Sequence, residues 1–197
     1  MDVAEIPVPA PRIVQAILWR RLDRPGHDAC ALWRADAGWR LSGTAVFVFA
    51  GRPCHLAYVV QCDVAWQARS AQVTGWIGPD AVALIMAAVP GGRWRLNGAD
   101  QEQVTGCADI DLGFTPATNM LPVRRLALRP GDAADAPAAW LSFPELALAR
   151  LAQHYRRVGA DQYAYQAPDV GYTGTLVVSD AGFVTTYPGL WAVEALQ

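Results

Sequence analysis

Turn-forming residues interrupt this chain about every 10 to 14 residues, and the stretches between them are rich in β-branched, aromatic and aliphatic residues. The turn signals combine Gly, Pro, Asp and Asn at residues 23–26, 51–53, 78–80, 90–92 and 97–98. The last of these, Asn followed by Gly, is a strong signal for a two-residue hairpin, and it predicts residues 101–112 as the partner strand. The spacing as a whole predicts an antiparallel meander that closes into a barrel or a half-barrel.

The apolar pattern within these stretches is of two kinds. Residues 45–49 (AVFVF) have no polar side, whereas residues 64–76 alternate between two faces. A sheet with one face in water would show alternation throughout. The doubly apolar strand therefore predicts either a cover on the outside of the sheet or a lined cavity on its inside.

The composition excludes several classes of protein. Hydrophobic residues make up 53% and charged residues 17% of the 197-residue chain, which argues against disorder. The formal net charge of −2 argues against nucleic acid as a partner. The 16 basic residues are all arginines, so Schiff-base chemistry at a lysine and a Walker-type phosphate loop are excluded. Two explanations of the arginines stay open: a bias in codon usage, or recognition of anions by guanidinium groups.

Signals for export, membrane insertion and familiar catalytic sites are missing from the sequence. The start, MDVAEIPVPAPRIV, lacks a basic region followed by an apolar one, and no run of about 18 apolar residues occurs. We therefore expect a cytoplasmic protein without a membrane span. The four cysteines form no CxxC pair and are expected to be free thiols. No GxSxG, HExxH or GxGxxG motif occurs.

Acidic and basic residues lie close together in residues 106–126, GCADIDLGFTPATNMLPVRRL. Asp109 and Asp111 would point to the same face of a strand, where they lack further ligands for a metal ion. Arg124 and Arg125 follow in an apolar stretch, and in a strand one would face the interior and the other the solvent. Two roles stay open for the arginines: a structural ion pair with an aspartate, or a fork that holds a phosphate, carboxylate or sugar hydroxyl.

Aromatic residues are frequent and lie beside charged ones. Asp63, Trp66 and Arg69 place an acid, an indole and a base at the start of one predicted strand, and the chain has 8 tryptophans in all. Tyrosines cluster near the C-terminus, within residues 155–187. These rings either fill the core or line a pocket, because indoles stack on sugar rings and pack along lipid tails while donating one hydrogen bond.

In four segments the chain resembles the Putative glycolipid-binding family, long known only as a domain of unknown function. These are residues 56–73 (LAYVVQCDVAWQARSAQV), 106–126, 151–157 (LAQHYRR) and 182–191 (GFVTTYPGLW). The resemblance extends over nearly the whole chain. The fold it implies is similar to that of bacterial lipoprotein carriers and mycobacterial glycolipid-binding lipoproteins: a strongly curved antiparallel sheet around an apolar cavity. Those carriers are exported, whereas this sequence shows no export signal.

The resemblance also decides how we interpret residues 144–157. Their Ala and Leu content favours a helix, while the residues on either side favour a strand. The family resemblance implies a strand, and we expect one here.

These observations predict a mainly β protein with a single domain over residues 1–197, of which residues 1–12 form an extended segment. We expect one strongly curved antiparallel sheet, a half-barrel or barrel around an apolar cavity, with few short helices. The expected function is non-catalytic binding of an amphiphile, a glycolipid or a related lipid, without cofactor or metal. The residues expected to contact the ligand are Asp63, Trp66, Arg69, Asp109, Asp111, Asn119, Arg124, Tyr155 and Arg156.

Two other functions stay open. The first is an enzyme in the same cavity, with Asp109 or Asp111 as general acid or base and Arg124 as anion stabiliser. It requires a carboxyl group with a raised pKa that faces the cavity. The second is a scaffold module without a ligand, whose charged residues only pair with each other around a packed interior. An open edge strand would also allow a homodimer.

Overall fold

The computed structural model describes residues 12–35 and 37–197. Most of these residues lie in strands joined by tight turns. The expected extended segment, residues 1–12, lies outside the described residues except for Arg12, where the first strand begins. The first eight strands are β1 Arg12–Arg21, β2 Gly26–Ala35, β3 Gly38–Phe49, β4 Arg52–Cys62, β5 Ala68–Ile77, β6 Asp80–Val89, β7 Arg93–Leu96 and β8 Ala99–Asp100.

The remaining elements form a middle segment and a second run of strands. The middle segment holds β9 Asp109–Leu112, helix α1 Met120–Leu126, β10 Ala133–Asp135, β11 Ala138–Leu141 and β12 Leu148–Leu151. The second run holds β13 His154–Arg157, β14 Gln162–Ala167, β15 Tyr172–Val178, β16 Val184–Tyr187 and β17 Trp191–Leu196. Short 3-10 turns occupy Glu102–Val104, Ala117–Asn119 and Pro168–Val170.

One large antiparallel sheet of 14 strands organises the protein. Its order is β10-β13-β14-β15-β16-β17-β1-β2-β3-β4-β5-β6-β7-β8. Two meanders, β1 to β8 and β13 to β17, are joined because β17 pairs with β1, with Trp191 opposite Arg21. The predictions of a mainly β fold, a large antiparallel sheet and few short helices are therefore confirmed.

The middle segment forms a second layer. Strands β12, β11 and β9 make a three-stranded sheet in which β9 and β11 are parallel, with Asp109 opposite Ala138. Parallel neighbours need a crossover connection, and helix α1 lies within it. Buried residues of this layer and of the large sheet belong to one continuous core.

Contacts of the middle segment show that the large sheet is strongly curved. Thr115 hydrogen-bonds with Tyr58 on β4, while Asn119 hydrogen-bonds with Tyr155 on β13. Strands β4 and β13 are eight positions apart in the sheet, which is about 38 Å in a flat sheet. Four residues of chain span at most about 14 Å, and less here because Ala117–Asn119 form a 3-10 turn. The tyrosine side chains stand roughly perpendicular to the sheet and therefore add little reach along it. The sheet must therefore curl around the middle segment so that distant strands reach the same turn.

Among the described residues, the two faces of β3 differ in how far they are covered. On β3, Ala45 and Phe47 are buried, whereas Val46 and Val48 are 52% and 39% exposed on the outside. The apolar outer residues of this strand therefore face solvent in the described structure, and the middle segment covers the inner face. The apolar cavity remains a prediction.

Several local predictions can be compared with the structure. Asn97 and Gly98 both have positive φ, 49° and 84°, and join β7 to β8 as predicted. The predicted partner strand 101–112 is wrong: the partner is Ala99–Asp100, and Asp109–Leu112 pairs in the other sheet. Within residues 144–157 the structure has β12 and β13, so the expected strand is confirmed.

Candidate functional site

The connection between β4 and β5 is held by Asp63. Its Oδ1 accepts hydrogen bonds from the backbone N–H groups of Ala65 (2.9 Å) and Gln67 (3.0 Å), and its Oδ2 accepts one from Arg69 Nη2 at 2.5 Å. These bonds stabilise a tight turn in which Trp66 has the left-handed φ of 66°. The turn buries the Trp66 side chain, which is only 6% exposed.

Trp66 is part of a stack in which two indoles lie between two guanidinium groups, which we call the Trp66 stack: Arg34, Trp39, Trp66 and Arg124. The two indoles lie parallel, with centroids 4.5 Å apart and an interplanar angle of 17°. The guanidinium carbon of Arg34 lies 4.4 Å from the centre of Trp39, and that of Arg124 lies 5.2 Å from Trp66. Such cation–π contacts fix long side chains over aromatic faces. Arg34 and Trp39 were not predicted from the sequence, because stacking across strands leaves no local pattern.

Arg124 also lines an open cleft of about 360 Å³, the Arg124 cleft, between α1 and the β15–β16 connection. Its Nη1 donates a hydrogen bond of 3.4 Å to the Asp180 carbonyl. Other polar residues of the cleft are Asp161, Ser179 and Arg157. Arg157 donates to three backbone carbonyls, including Leu128 at 2.8 Å, so it holds the wall together.

Arg125, the next residue, has a different role. Its Nε and Nη2 donate to the two carboxylate oxygens of Asp109 at 2.9 and 2.6 Å. Asp109 is fully buried; burial raises the pKa of its carboxyl group, and Arg125 opposes that rise. Residues 120–126 form a helix instead of a strand, so successive side chains point about 100° apart. The ion-pair role therefore belongs to Arg125, and Arg124 is left facing the cleft.

Asp111 lies in one hydrogen-bonded group and Asn119 with Tyr155 in another, and these groups form one network because the Tyr155 and Tyr165 rings pack with their centroids 4.7 Å apart. Gln153 Nε2 donates to Asp111 Oδ2 at 2.8 Å and to the Tyr165 hydroxyl at 3.0 Å. Asn119 Nδ2 donates to the Tyr155 hydroxyl at 2.9 Å. Burial raises the pKa of Asp111 to about 6. This network joins the second layer to β13 and β14.

Arg156 does not join either group. It is exposed and follows the fully buried Tyr155 on β13, so the two side chains point to opposite faces of the strand. The structure thus brings Asp63, Trp66, Arg69 and Arg124 together at one end of the sheet and places the remaining expected residues elsewhere.

A buried carboxyl group that was not predicted from the sequence lies on β2. Asp28 is fully buried and accepts hydrogen bonds from Tyr58 at 2.9 Å and from Thr115. Burial raises its pKa to about 7. The only local signal was its alternation with Cys30 and Leu32, which are both buried on the same face.

A second cleft of about 440 Å³, the Arg69 cleft, lies beside the β4–β5 connection. Arg69, Arg93 and the glycines Gly91, Gly92 and Gly106 line it. A third cleft of about 280 Å³ includes Gln153 and His154. Within residues 12–35 and 37–197, no group of three or more His, Cys, Asp or Glu side chains is placed to hold a metal ion.

The four cysteines are buried free thiols. No helix of the described part of the chain is both long and apolar enough to cross a membrane.

Comparisons with known proteins identify the family. Residues 16–192 match the model of the family described as Putative glycolipid-binding. A crystal structure of a DUF1089 family protein from Pseudomonas aeruginosa is similar, with a TM-score of 0.74 and 28% sequence identity, covering 84% of this chain and 91% of that chain. The comparison with curated proteins gave no match. The family match spans most of the chain and agrees with the resemblance seen in the sequence. The chain therefore belongs to the Putative glycolipid-binding family.

Proposed function

We propose that this protein binds an amphiphile, a glycolipid or a related lipid, without catalysing a reaction, and that the headgroup occupies the Arg124 cleft. The observation that supports this most directly is the exposed guanidinium of Arg124, held over the buried indole of Trp66 at the wall of an open cleft. A pre-positioned donor in a concave site costs little entropy to engage. The name of the family supports the same class of ligand.

The chemistry of the cleft suits a sugar. The side chains of Asp161, Ser179 and Asp180 offer acceptors, and Arg124 offers donors, so that hydroxyl groups find both kinds of partner. The volume of about 360 Å³ lies at the lower end of ligand pockets. It accommodates a headgroup and the first part of a tail.

The apolar part of the ligand needs a separate wall. Val123, Tyr163 and Val178 line the Arg124 cleft on its apolar side. Burial contributes about 0.8 kcal/mol per CH₂ group, so each tail carbon that this wall covers adds to the affinity before the cost of association. The polar wall selects the headgroup.

The other expected residues support this site indirectly. Asp63 and Arg69 hold the turn that presents Trp66. Asp109 anchors helix α1 through Arg125, which fixes the direction in which Arg124 points. Asp111, Asn119 and Tyr155 hold the second layer against the sheet, and Arg156 lies at the surface.

The enzyme alternative has less support. Burial raises the pKa of Asp109 and Asp111, the two residues that this alternative names, and also that of Asp28. None of the three lines the clefts described above, so none of these carboxyl groups is placed to exchange a proton with a substrate there.

Native mass spectrometry of the protein purified from its own host, followed by lipid extraction, tests the proposal. Ala160 is exposed and lines the Arg124 cleft, so Ala160→Trp fills the cleft without altering the core. Ala83→Trp on the exposed face of β6 is the matched control. We expect a bound amphiphile in the wild type and the control and none in Ala160→Trp. Equal loading of all three proteins would contradict the proposed site, and a ligand-free wild type that binds no glycolipid from a panel would contradict the function.

A further inference from the structure

The Arg69 cleft differs from the Arg124 cleft in its charge. Two guanidinium groups line it, Arg69 at the start of β5 and Arg93 at the start of β7. No Asp or Glu side chain is among the described residues that line it. Arg69 forms an ion pair with Asp63, which lies in the β4–β5 connection and does not line the cleft. The cleft therefore carries a net positive charge although the whole chain has a formal net charge of −2.

Both arginines retain donors for a ligand. A guanidinium has five N–H groups. Arg69 donates through Nη2 to Asp63 at 2.5 Å, and Arg93 donates through Nε to the Pro90 carbonyl at 3.3 Å. These contacts orient each side chain. The other N–H groups of the two guanidinium groups take no part in them. The side chain of Arg69 is 57% exposed in spite of its ion pair.

Three glycines form part of the wall of the Arg69 cleft. Gly91, Gly92 and Gly106 have positive φ values of 84°, 69° and 83°, which favour glycine. A Cβ atom added at Gly106 would meet no other atom within 4 Å, so the space beside this residue is open. Gly106 N–H donates to the Gly92 carbonyl at 2.7 Å and joins the two sides of the cleft. The wall thus leaves room for a compact group to approach the arginines.

The floor of the cleft is rigid. Trp94 is 1% exposed, and its Nε1 donates to the Cys107 carbonyl at 2.9 Å. Arg150 reaches the same loop from β12 and donates to the Thr105 carbonyl at 3.2 Å. A third guanidinium therefore contacts the loop that forms one side of the cleft, although it does not line the cleft itself.

We propose that the Arg69 cleft binds an oxyanion of the phosphate class through Arg69 and Arg93, at a site separate from the amphiphile headgroup. Guanidinium groups form charge-assisted, often bidentate hydrogen bonds with phosphate oxygens. Asp63 is a positioning residue that orients Arg69. The phosphate is either that of a small soluble ester or that of an anionic lipid headgroup, and the two sources share this chemistry. The site does not depend on the proposed amphiphile.

Titration calorimetry with inorganic phosphate and with glycerol 3-phosphate tests the site, using the lipid-free protein. Arg93→Gln removes one guanidinium from the cleft. Arg95→Gln is the matched control: it lies on the same strand, removes the same charge and is exposed, but bonds to Asp100 outside the cleft. We expect Arg93→Gln to weaken binding at least about tenfold and Arg95→Gln to change it less than about twofold. Equal weakening by both variants, or no binding to the wild type, would overturn the proposal.

Sedimentation with vesicles of phosphatidylcholine, with and without phosphatidylglycerol, separates the two sources. Binding to the anionic vesicles that is lost in Arg93→Gln assigns the site to a lipid phosphate, and saturable binding of glycerol 3-phosphate alone assigns it to a soluble ester. Ala160→Trp, which blocks the Arg124 cleft, should leave phosphate binding unchanged. Loss of phosphate binding in Ala160→Trp would contradict the separation of the two sites.

Discussion

The guanidinium of Arg124 lies 5.2 Å from the centre of the Trp66 ring and also reaches the carbonyl of Asp180. Trp66 belongs to the connection between β4 and β5, and Asp180 belongs to the connection between β15 and β16. These connections are far apart in the order of the large sheet. One side chain therefore bridges two distant parts of the curved sheet at the opening of a cleft. Its removal should alter ligand binding more than folding.

The variant Arg124→Gln tests this directly. An exposed cation–π contact contributes about 0.5–1 kcal/mol, so the free energy of unfolding should fall by no more than about 1 kcal/mol. The affinity for a bound amphiphile should fall at least about tenfold, because a charged donor to the headgroup is lost. Urea denaturation and ligand titration measure the two effects. A large loss of stability with unchanged affinity would show that Arg124 is a structural residue.

Arg125→Gln, in contrast to Arg124→Gln, should affect the stability of the fold more than the affinity for the amphiphile. Arg125 forms a two-pronged ion pair with the fully buried Asp109, and removing one partner of such a pair leaves a buried charge without compensation. We expect the free energy of unfolding to fall by about 3 kcal/mol. Urea denaturation at neutral pH measures it. A change below about 1 kcal/mol would mean that the pair contributes little.

Asp28 should make the stability depend on pH. Its pKa is raised from 3.8 to about 7 in the folded protein by burial. The folded state holds this proton more tightly than the unfolded chain, so the stabilisation is fully present below about pH 4 and is lost as the pH rises through about 7. The hydrogen bonds from Thr115 and Tyr58 and the positive charge of Arg21 oppose this rise in pKa, and Cys30 is the other titratable group beside the carboxyl.

The variant Asp28→Asn removes this titration. Between pH 4 and pH 8 the wild type should lose up to about 4 kcal/mol of unfolding free energy relative to the variant. Other groups titrate in both proteins, so the difference between their two pH curves isolates Asp28. Urea denaturation at several pH values gives these curves. Parallel curves would contradict the buried, protonated state of Asp28.

Tyr155→Phe separates a structural role from ligand contact. The change leaves the Asn119 amide without its acceptor in a buried place and should cost about 1–3 kcal/mol of stability. Tyr172→Phe is the control, because the Tyr172 hydroxyl donates to the Pro188 carbonyl at an exposed position. We expect unchanged amphiphile affinity in both variants. A loss of affinity in Tyr155→Phe at unchanged stability would place Tyr155 in the ligand site.

The strands were predictable because their signals are local. Asn97 and Gly98 adopt the positive φ angles that the hairpin requires, and the turns at Gly, Pro and Asp separate the strands at nearly the observed places. Helix α1 was not predicted. It has seven residues and contains Pro122, so its sequence carries little periodicity and its place in the crossover depends on tertiary packing.

The contacts of the buried charged groups and of the candidate site depend on residues that are distant in sequence. Asp28 meets Thr115 across 87 residues, and Arg125 meets Asp109 across 16. The sequence indicated that Arg124 or Arg125 would pair with an aspartate, but the choice required the direction of each side chain on α1. The Trp66 stack likewise depends on the register of β3 with β4, where Trp39 lies opposite Cys62.

A two-dimensional ¹H–¹⁵N NMR titration with dodecyl maltoside, below its micelle concentration, tests the amphiphile site most directly. We predict saturable shifts of the Trp66 indole N–H and the Arg124 Nε–H, assigned with Trp66→Phe and Arg124→Gln. The Trp76 indole, which is 40% exposed, should not shift. Shifts confined to Trp76, or the absence of any saturable shift at Trp66 and Arg124, would contradict binding in the Arg124 cleft.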